Sequence, residues 1–305
     1  MRASRYKAGM SDLVTRFAPS PTGRLHLGHA HSALFGWTAA RSAAGRFLLR
    51  IEDIDPNRCR PDHEHELIED LAWLGLDWDG PIRRQSDHFD DFRTALARLE
   101  SLGVLYPCFC TRKDIAAEIA RAGAAPHGPD GPLYPGTCRH RSTAERAERI
   151  ERGDAWALRL DVEAACRLTG PLRWHDRAQG WQQGTPDLLG DVVLARKDTP
   201  TSYHLSVTVD DHLQGVTLVT RGEDLFFATH LHRLLQALLG YDPPDYHHHG
   251  LLRNAAGERL AKRDRAQSLR SLRDEGRSPA EVRAMAGFAG LGLGSEPYVP
   301  SPGRS

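Results

Sequence analysis

The stretch from Leu13 to Ile51 constrains the fold more than any other part of the chain. Residues 13–17 (Leu-Val-Thr-Arg-Phe) read as a short buried strand. The next eleven residues, Ala-Pro-Ser-Pro-Thr-Gly-Arg-Leu-His-Leu-Gly, hold two prolines and two glycines and read as a turn. Residues 30–44 then carry apolar and small side chains at helical spacing on most faces, which predicts a buried helix closed by Gly45. Phe47 to Ile51 is a second apolar run of strand length. Strand, glycine-bearing turn, helix and strand make a βαβ unit, and such units build parallel sheets. The fold class is therefore α/β.

The rest of the chain is consistent with that class but changes texture in the middle. Helices are expected from about His63 to Leu74 and from Phe89 to Leu102. From Tyr106 onward three cysteines fall around a Gly/Pro-rich stretch, 123–135, that reads as an exposed loop. Arg141 to Arg152 reads as a charged helix and 156–197 as short strands and turns. We read 106–190 as an insertion that divides the α/β domain into 13–105 and 191–275. In the second half, Tyr203 to Asp211 (YHLSVTVDD) is expected to be a strand and 222–240 a helix. Beyond Glu275 little structure is expected, and 276–305 reads as a short tail with a disordered end. The chain has no internal repeats.

Composition removes several function classes. Hydrophobic residues form 40% of the 305, enough for a real core. Lysine plus arginine number 40 and aspartate plus glutamate 40, so a sequence-blind nucleic-acid coat is disfavoured while a local contact is not. The five cysteines, Cys59, Cys108, Cys110, Cys138 and Cys166, are too few and too irregular for a disulfide framework. The N-terminus lacks the apolar core of a signal peptide, and no run approaches the ~18 apolar residues of a membrane span. A cytoplasmic protein without a membrane partner is expected, acting as a monomer.

Three clusters carry chemistry. His26 and His29 lie three apart at a helix start, so they can share one face where unpaired N–H groups favour a phosphate. Two imidazoles there could stabilise an α-phosphate during displacement. Gly28 between them lets a ligand approach the backbone. The acidic segment Glu52, Asp53, Asp55 follows the second strand, where ligands bind in open α/β sheets; the bland alternative is a solvated acidic turn. Cys108 and Cys110, with Cys138 returning across the loop, can supply three thiolates to a structural tetrahedral metal site. The fourth ligand is open among Tyr134, His140 and the more remote His127. The run His247-His248-His249 is different, because neighbours on a strand point to alternate faces and rarely share a metal.

Taken together, RFAPSPTGRLHLGH, LLRIEDIDPNR, VTVDDHLQGVTLVTRGEDL and RLAKRD resemble, in order, four blocks of the class I glutamyl- and glutaminyl-tRNA synthetases. The resemblance runs from about residue 14 to 270. It implies a Rossmann-like parallel sheet with an inserted zinc-bearing α+β subdomain at 106–190, and a KMSKS-type loop in 191–275. It implies that Arg16, Phe17, Ala18, Pro19, Ser20, Glu52, Tyr203 and Arg221 bind glutamate. Arg16 can grip a carboxylate bidentately, and Glu52 can face the α-ammonium. It implies that His26, Gly28, His29 and Lys262 serve ATP, with His26, His29 and Lys262 catalytic and Mg2+ accompanying the nucleotide. Arg259 and Ala261 depart from the usual lysine and serine of the loop; the lost hydroxyl bears on the rate of activation. His248 stands near a family histidine that precedes this loop.

The cysteine order C-x-C…Y-x-x-x-C resembles the zinc site of the shortened, glutamyl-queuosine branch of the family, which implies Cys108, Cys110, Tyr134 and Cys138 around one structural Zn2+ per chain. About forty residues follow Lys262, and the expectation is that no anticodon-reading domain follows. The branch implies tRNA-independent activation of L-glutamate with ATP, then transfer to queuosine at the wobble position of tRNA(Asp). Arg58, Arg60, Arg263, Arg265 and Arg270 are the expected phosphate contacts. The alternatives are a shortened enzyme that charges a tRNA 3′ end and a non-catalytic tRNA-binding relic.

Overall fold

The computed structural model describes residues 12–121, 127–129, 131–196, 199–252 and 267–291. In chain order its elements are β1 (Val14–Phe17), α1 (Leu27–Ser42), β2 (Arg46–Ile51), α2 (Pro61–Trp73), β3 (Arg83–Arg84), α3 (Phe89–Ser101), β4 (Leu105–Cys108) and α4 (Arg112–Arg121). There follow β5 (His127–Gly128), β6 (Gly131–Pro132), α5 (Thr143–Glu151), β7 (Ala157–Leu160), α6 (Val162–Thr169), β8 (Arg173–Asp176), β9 (Gly180–Gln183) and β10 (Val193–Arg196). Last come α7 (Tyr203–Leu213), β11 (Leu218–Gly222), α8 (Ala228–Leu239), β12 (Asp245–His249), α9 (Leu269–Asp274) and α10 (Pro279–Met285). Among the described residues no helix is long and apolar enough to cross a membrane.

The chain forms two compact units. The first draws on Met1–Ser86, Val216–Glu223 and Tyr246–Ser305, the second on Asp87–Gly215 and Asp224–Asp245. In the first unit β1 and β2 pair in parallel, Val14 opposite Arg46 through Phe17 opposite Leu49, and β2 pairs with β3 in parallel. The expected βαβ unit is thus present. Helix α1 packs with β1, β2 and β11. The approach is close at Gly36, where a Cβ would lie 2.8 Å from Thr220 Oγ1. Leu34, Phe47, Leu49, Leu67 and Leu71 form one core, joined by Leu269 and Leu272 of α9 and Val282 of α10.

Helix α1 begins at Leu27, one turn earlier than expected, because His26 caps it. Its far end corrects the role of Gly45. The Gly45 N–H donates to Ala40 O at 2.8 Å and the Ala44 N–H to Arg41 O at 3.1 Å, which is a Schellman closure. The residue in the left-handed region is Ala44, at φ 51°. Gly45 is required for another reason: a Cβ there would lie 2.3 Å from Leu13 O.

In the second unit β4, β7 and β10 form an antiparallel sheet, β8 and β9 a hairpin, and α8 packs against α3, α6 and α7. Three expectations fail here and at the C-terminal end. Tyr203–Leu213 is a helix, not a strand. Ser202 caps it by accepting from Leu205 N, and Ser206 and Thr208 hydroxyls donate to carbonyls one turn back, at 3.0 and 2.8 Å. Leu205 through Asp211 are buried in succession, so the alternation in Val-Thr-Val carries no strand signal. The second miss is α6, started by Asp161, whose carboxylate accepts from Ala164 N at 2.9 Å. The third is α10, opened by a Ser278/Glu281 capping box with Pro279 in the first turn. The last ten residues lie outside the described set.

The α1 terminus yields a paired prediction. Ala44→Gly should stabilise the protein by about 1 kcal/mol by removing the left-handed Cβ penalty. Gly45→Ala should destabilise it by ~2 kcal/mol or more, because the new Cβ meets backbone. Denaturant midpoints of the two variants should move in opposite directions; movement in the same direction refutes the reading.

Candidate functional site

The start of α1 is organised by its two histidines. The Gly28 N–H donates to His26 Nδ1 at 3.1 Å, and the His26 N–H donates to His29 Nδ1 at 3.2 Å. The rings lie 3.8 Å apart between centroids, tilted by 32°. Each Nδ1 is an acceptor, so the neutral form of each ring carries its proton on Nε2. The pair therefore offers N–H donors at a helix N-terminus, where the macrodipole already favours an anion. Gly28 has a reason that the sequence alone does not reveal. A Cβ there would lie 3.0 Å from His26 Cε1, so a side chain at this position would press on the capping ring itself.

The amino-acid side of the expected site is partly assembled in the same unit. Arg16 lies in β1, 5% exposed, and its Nη1 donates to the Thr220 carbonyl of β11 at 3.1 Å. Arg221 is equally buried, and its Nε donates to His248 Nε2 at 3.1 Å. Tyr246 lies under the Arg221 guanidinium at 5.5 Å. Past the end of β2, Glu52 is buried, with its N–H bonded to Pro19 O at 3.0 Å. Phe17 and Pro19 are buried, Ala18 is half-buried and Ser20 is exposed. Tyr203 opens α7 in the second unit, its ring 5.4 Å from His204 and 5.8 Å from His232. The KMSKS-type stretch, with Arg259, Ala261 and Lys262, lies outside the described residues, as do Arg263 and Arg265. Arg58 and Arg60 are exposed; Arg270 is paired with Asp274 at 3.2 Å.

The acidic segment resolves into three different roles. Asp53 accepts from the Ser86 N–H and hydroxyl at 2.9 and 2.6 Å. Asp55 accepts from Asn57 N and starts a turn closed by Arg58 and Cys59. Only Glu52 is withdrawn from water, and Arg50 Nη2 stands 3.5 Å from its Oε1. Two partners were missed from sequence. Arg50 is fully buried, and its signal was a charge inside the apolar run Leu-Leu-Arg-Ile. His248 orients Arg221, whereas His249 Nε2 is bonded to the Ser32 hydroxyl at 3.0 Å and His247 packs on Phe35. The three histidines thus have separate partners and do not form a metal cluster.

In the second unit the sulfur atoms of Cys108, Cys110 and Cys138 all lie within 4.8 Å of one another. Tyr134 Oη stands 3.3 Å from Cys108 Sγ and 3.5 Å from Cys110 Sγ, and Cys110 Sγ stands 3.5 Å from Cys138 Sγ. Tetrahedral ligation at ~2.3 Å per sulfur separates thiolates by about 3.8 Å, so the donor set fits a metal ion. His140 is exposed and outside this group, while only the backbone of His127 is described. Burial raises the Cys138 thiol, but the Phe109 N–H and the Tyr134 hydroxyl outweigh it and bring the group down to about 7. Burial pushes Cys110 up to about 11 and raises the Tyr134 phenol. Arg159 covers the Tyr134 ring at 3.9 Å and Arg149 the Phe109 ring at 4.4 Å, which surrounds the donors with positive charge.

Comparison with known proteins identifies the family. Residues 12–296 match the catalytic-domain model of the class I tRNA synthetases for glutamate and glutamine (E and Q). A glutamyl-Q tRNA(Asp) synthetase of Rhodobacter capsulatus is 52% identical over 90% of this chain and 100% of its own length. A glutamate–tRNA ligase 2 of Acidithiobacillus ferrooxidans is 43% identical over 89% of this chain, which spans 57% of that protein. Among solved structures, a glutamate tRNA ligase from Elizabethkingia meningosepticum, crystallised with its amino acid, superposes with a TM-score of 0.76 at 28% identity. It covers 90% of this chain, which spans 60% of that structure.

The double use of His26 as cap and as donor is separable by mutation. His26→Ala should cost about 1 kcal/mol of stability through the lost cap, and His26→Asn should recover most of it. Thermal denaturation of the two variants measures this. Equal midpoints for Ala and Asn would show that the Nδ1 contact to Gly28 has no capping value.

Proposed function

The chain belongs to the class I tRNA synthetases for glutamate and glutamine, and from that premise we propose that it activates L-glutamate with ATP, without needing tRNA, and transfers it to queuosine in tRNA(Asp). Membership makes it an aminoacyl-tRNA-synthetase-like ligase. The observation that carries the activation step is the pair of closely apposed, tilted histidines at the start of α1, in one compact unit with buried Arg16, Glu52 and Arg221. In the first step the glutamate α-carboxylate attacks the α-phosphorus, the bond to the β-phosphate breaks, and pyrophosphate leaves with its Mg2+. The Nε2–H groups of His26 and His29 take the charge that grows on the phosphate oxygens. Lys262 balances the departing phosphates. Arg16 and Arg221 receive the two carboxylates of the substrate and Glu52 its ammonium; the family resemblance adds Tyr203 as a further glutamate contact. In the second step a hydroxyl of the queuosine diol attacks the glutamyl carbonyl, AMP leaves, and the hydroxyl proton passes to solvent.

The name carried by the relative at 52% identity supports the queuosine acceptor. The ligase at 43% identity keeps a second reading in play, the charging of a tRNA 3′ end. One experiment separates them. Labelled glutamate is offered with tRNA(Asp) bearing either queuosine or guanosine at the wobble position. Label should enter only the queuosine form and be lost after periodate oxidation of the diol; label on the terminal adenosine would establish the second reading instead. Pyrophosphate exchange without tRNA should proceed with glutamate and fall by at least ~100-fold with glutamine, since an amide leaves a buried guanidinium facing no charge.

The cysteine set we read as a structural zinc site, with Cys108, Cys110 and Cys138 as thiolates and Tyr134 as fourth ligand, organising the insertion at 106–190. An ion there would replace thiol protons and tie the β4 end to the 134–138 turn. Purified protein should carry one zinc per chain by elemental analysis, and Cys138→Ala should lose it. Retained zinc in Tyr134→Phe together with loss in His140→Ala would transfer the fourth position to His140.

A further inference from the structure

The β8–β9 hairpin of the second unit carries a surface that neither the ATP site nor the cysteine set uses. Arg173 pairs with Gln183, Trp174 with Gln182, His175 with Trp181 and Asp176 with Gly180. Alternation along a strand puts Trp174 on one face and Arg173, His175 and Trp181 on the other. The Trp174 face is anchored: the ring is 1% exposed and its Nε1 donates to His230 Nδ1 at 3.3 Å. The turn is fixed as well, because Asp176 accepts from Ala178 N and Gln179 N at 2.8 and 3.0 Å. On this rigid support Trp181 is 64% exposed, the most exposed of the large hydrophobic side chains among the described residues. A hairpin needs no aromatic residue at an outward position, as Gln183 next to it demonstrates.

The surroundings of the ring specify a partner. The Arg173 guanidinium stands 4.9 Å from the Trp181 centroid, and the His175 ring 5.1 Å from it. Arg177, at the turn, is exposed. Asp245 meets this group at 3.2 Å from both His175 Nδ1 and Arg177 Nε, and the Asp176 carboxylate lies buried under the turn. The exposed Arg173 has no ion-pair partner among the described residues, so it leaves a positive charge beside the ring in a chain whose formal charge is zero. A flat apolar ring with a cationic rim suits an unpaired nucleobase and its flanking phosphates, since the base stacks while the phosphates meet arginine. An apolar protein surface would instead desolvate those cations without pairing them.

We propose that Trp181 is a stacking platform for an unpaired base of the RNA acceptor, with Arg173 and Arg177 as its phosphate contacts. This rests on the reading that the chain modifies a tRNA, and it adds the surface by which the second unit holds a single-stranded loop. The test measures transfer of glutamate to queuosine-bearing tRNA(Asp) by wild type, Trp181→Ala, Trp181→Phe and an Arg173→Gln, Arg177→Gln double variant. Because Trp181 is exposed, the substitutions should leave the thermal midpoint and tRNA-independent pyrophosphate exchange unchanged. Trp181→Ala should raise KM for the tRNA by about 10-fold or more, and Trp181→Phe should restore most of the loss. The double variant should flatten the slope of log affinity against log salt by about 1.4, or 0.7 for each phosphate contact. A KM within two-fold of wild type in Trp181→Ala overturns the platform while the ligase reading stands. Wild type that exchanges pyrophosphate but transfers nothing to RNA overturns both. Self-association of the wild type that disappears in Trp181→Ala would make this face a contact between copies and also overturn the proposal.

Discussion

The hydrogen bond from the Gly28 amide to His26 Nδ1 is the contact on which the start of α1 depends. It starts helix α1, and so fixes where the helix axis and its positive end point. It also fixes the tautomer of the ring, because an Nδ1 that accepts leaves the proton on Nε2. His29 repeats the arrangement one turn later by accepting from the His26 amide. The capping bonds of an ordinary helix satisfy backbone donors and do nothing else. Here the same bonds align two imidazole donors, so the helix cannot form without also setting the rings. Gly28 is tied to this device, since a Cβ there would lie 3.0 Å from the ring that caps the helix.

That economy explains why this end of the molecule was legible. Short-range rules, a turn of prolines and glycines before a helix and a strand after it, were enough to locate β1, α1 and β2, and His26 and His29 lie within that local frame. Legibility fails where neighbours in space replace neighbours in sequence. Tyr203–Asp211 is expected from the sequence to be a strand, yet Leu205 through Asp211 are buried in succession and the Ser206 and Thr208 hydroxyls return to the helix backbone. Burial overrides propensity there. The pairing of Arg221 with His248 joins residues 27 apart and no periodicity announces it. The three acids of Glu52, Asp53 and Asp55 look alike in sequence; Ser86 and a turn at Asn57 claim two of them and leave Glu52 as the buried one.

The cysteine set shows the opposite balance. Spacing alone named its three thiols and left the fourth donor open. Geometry narrows that choice, because the Tyr134 hydroxyl lies against two of the sulfurs and also accepts from the Cys138 N–H at 2.9 Å, while His140 faces solvent. A phenol is a weak ligand beside three thiolates. Its position among them has a second consequence: the aromatic ring closes one side of the cluster and is itself covered by Arg159. Cys108 and Cys138 are buried and Cys110 is half-buried, and the guanidinium favours whatever negative charge the set acquires.

Charge recognition in the first unit follows from how its two arginines are held. Arg16 is directed by a backbone carbonyl, and Arg221 by a neutral imidazole nitrogen. Each of these two contacts fixes the direction of a guanidinium through an uncharged acceptor. Arg50 provides the contrast within one unit. Its Nη2 stands 3.5 Å from Glu52 Oε1, and both side chains are buried. The first unit thus gathers three buried guanidiniums and one buried carboxylate, those of Arg16, Arg50, Arg221 and Glu52, on β1, β2 and β11 and just past the end of β2. A guanidinium suits a carboxylate and a buried carboxylate suits an ammonium, so the proposed dicarboxylic amino acid is the kind of ligand that this mixture of buried charges can meet.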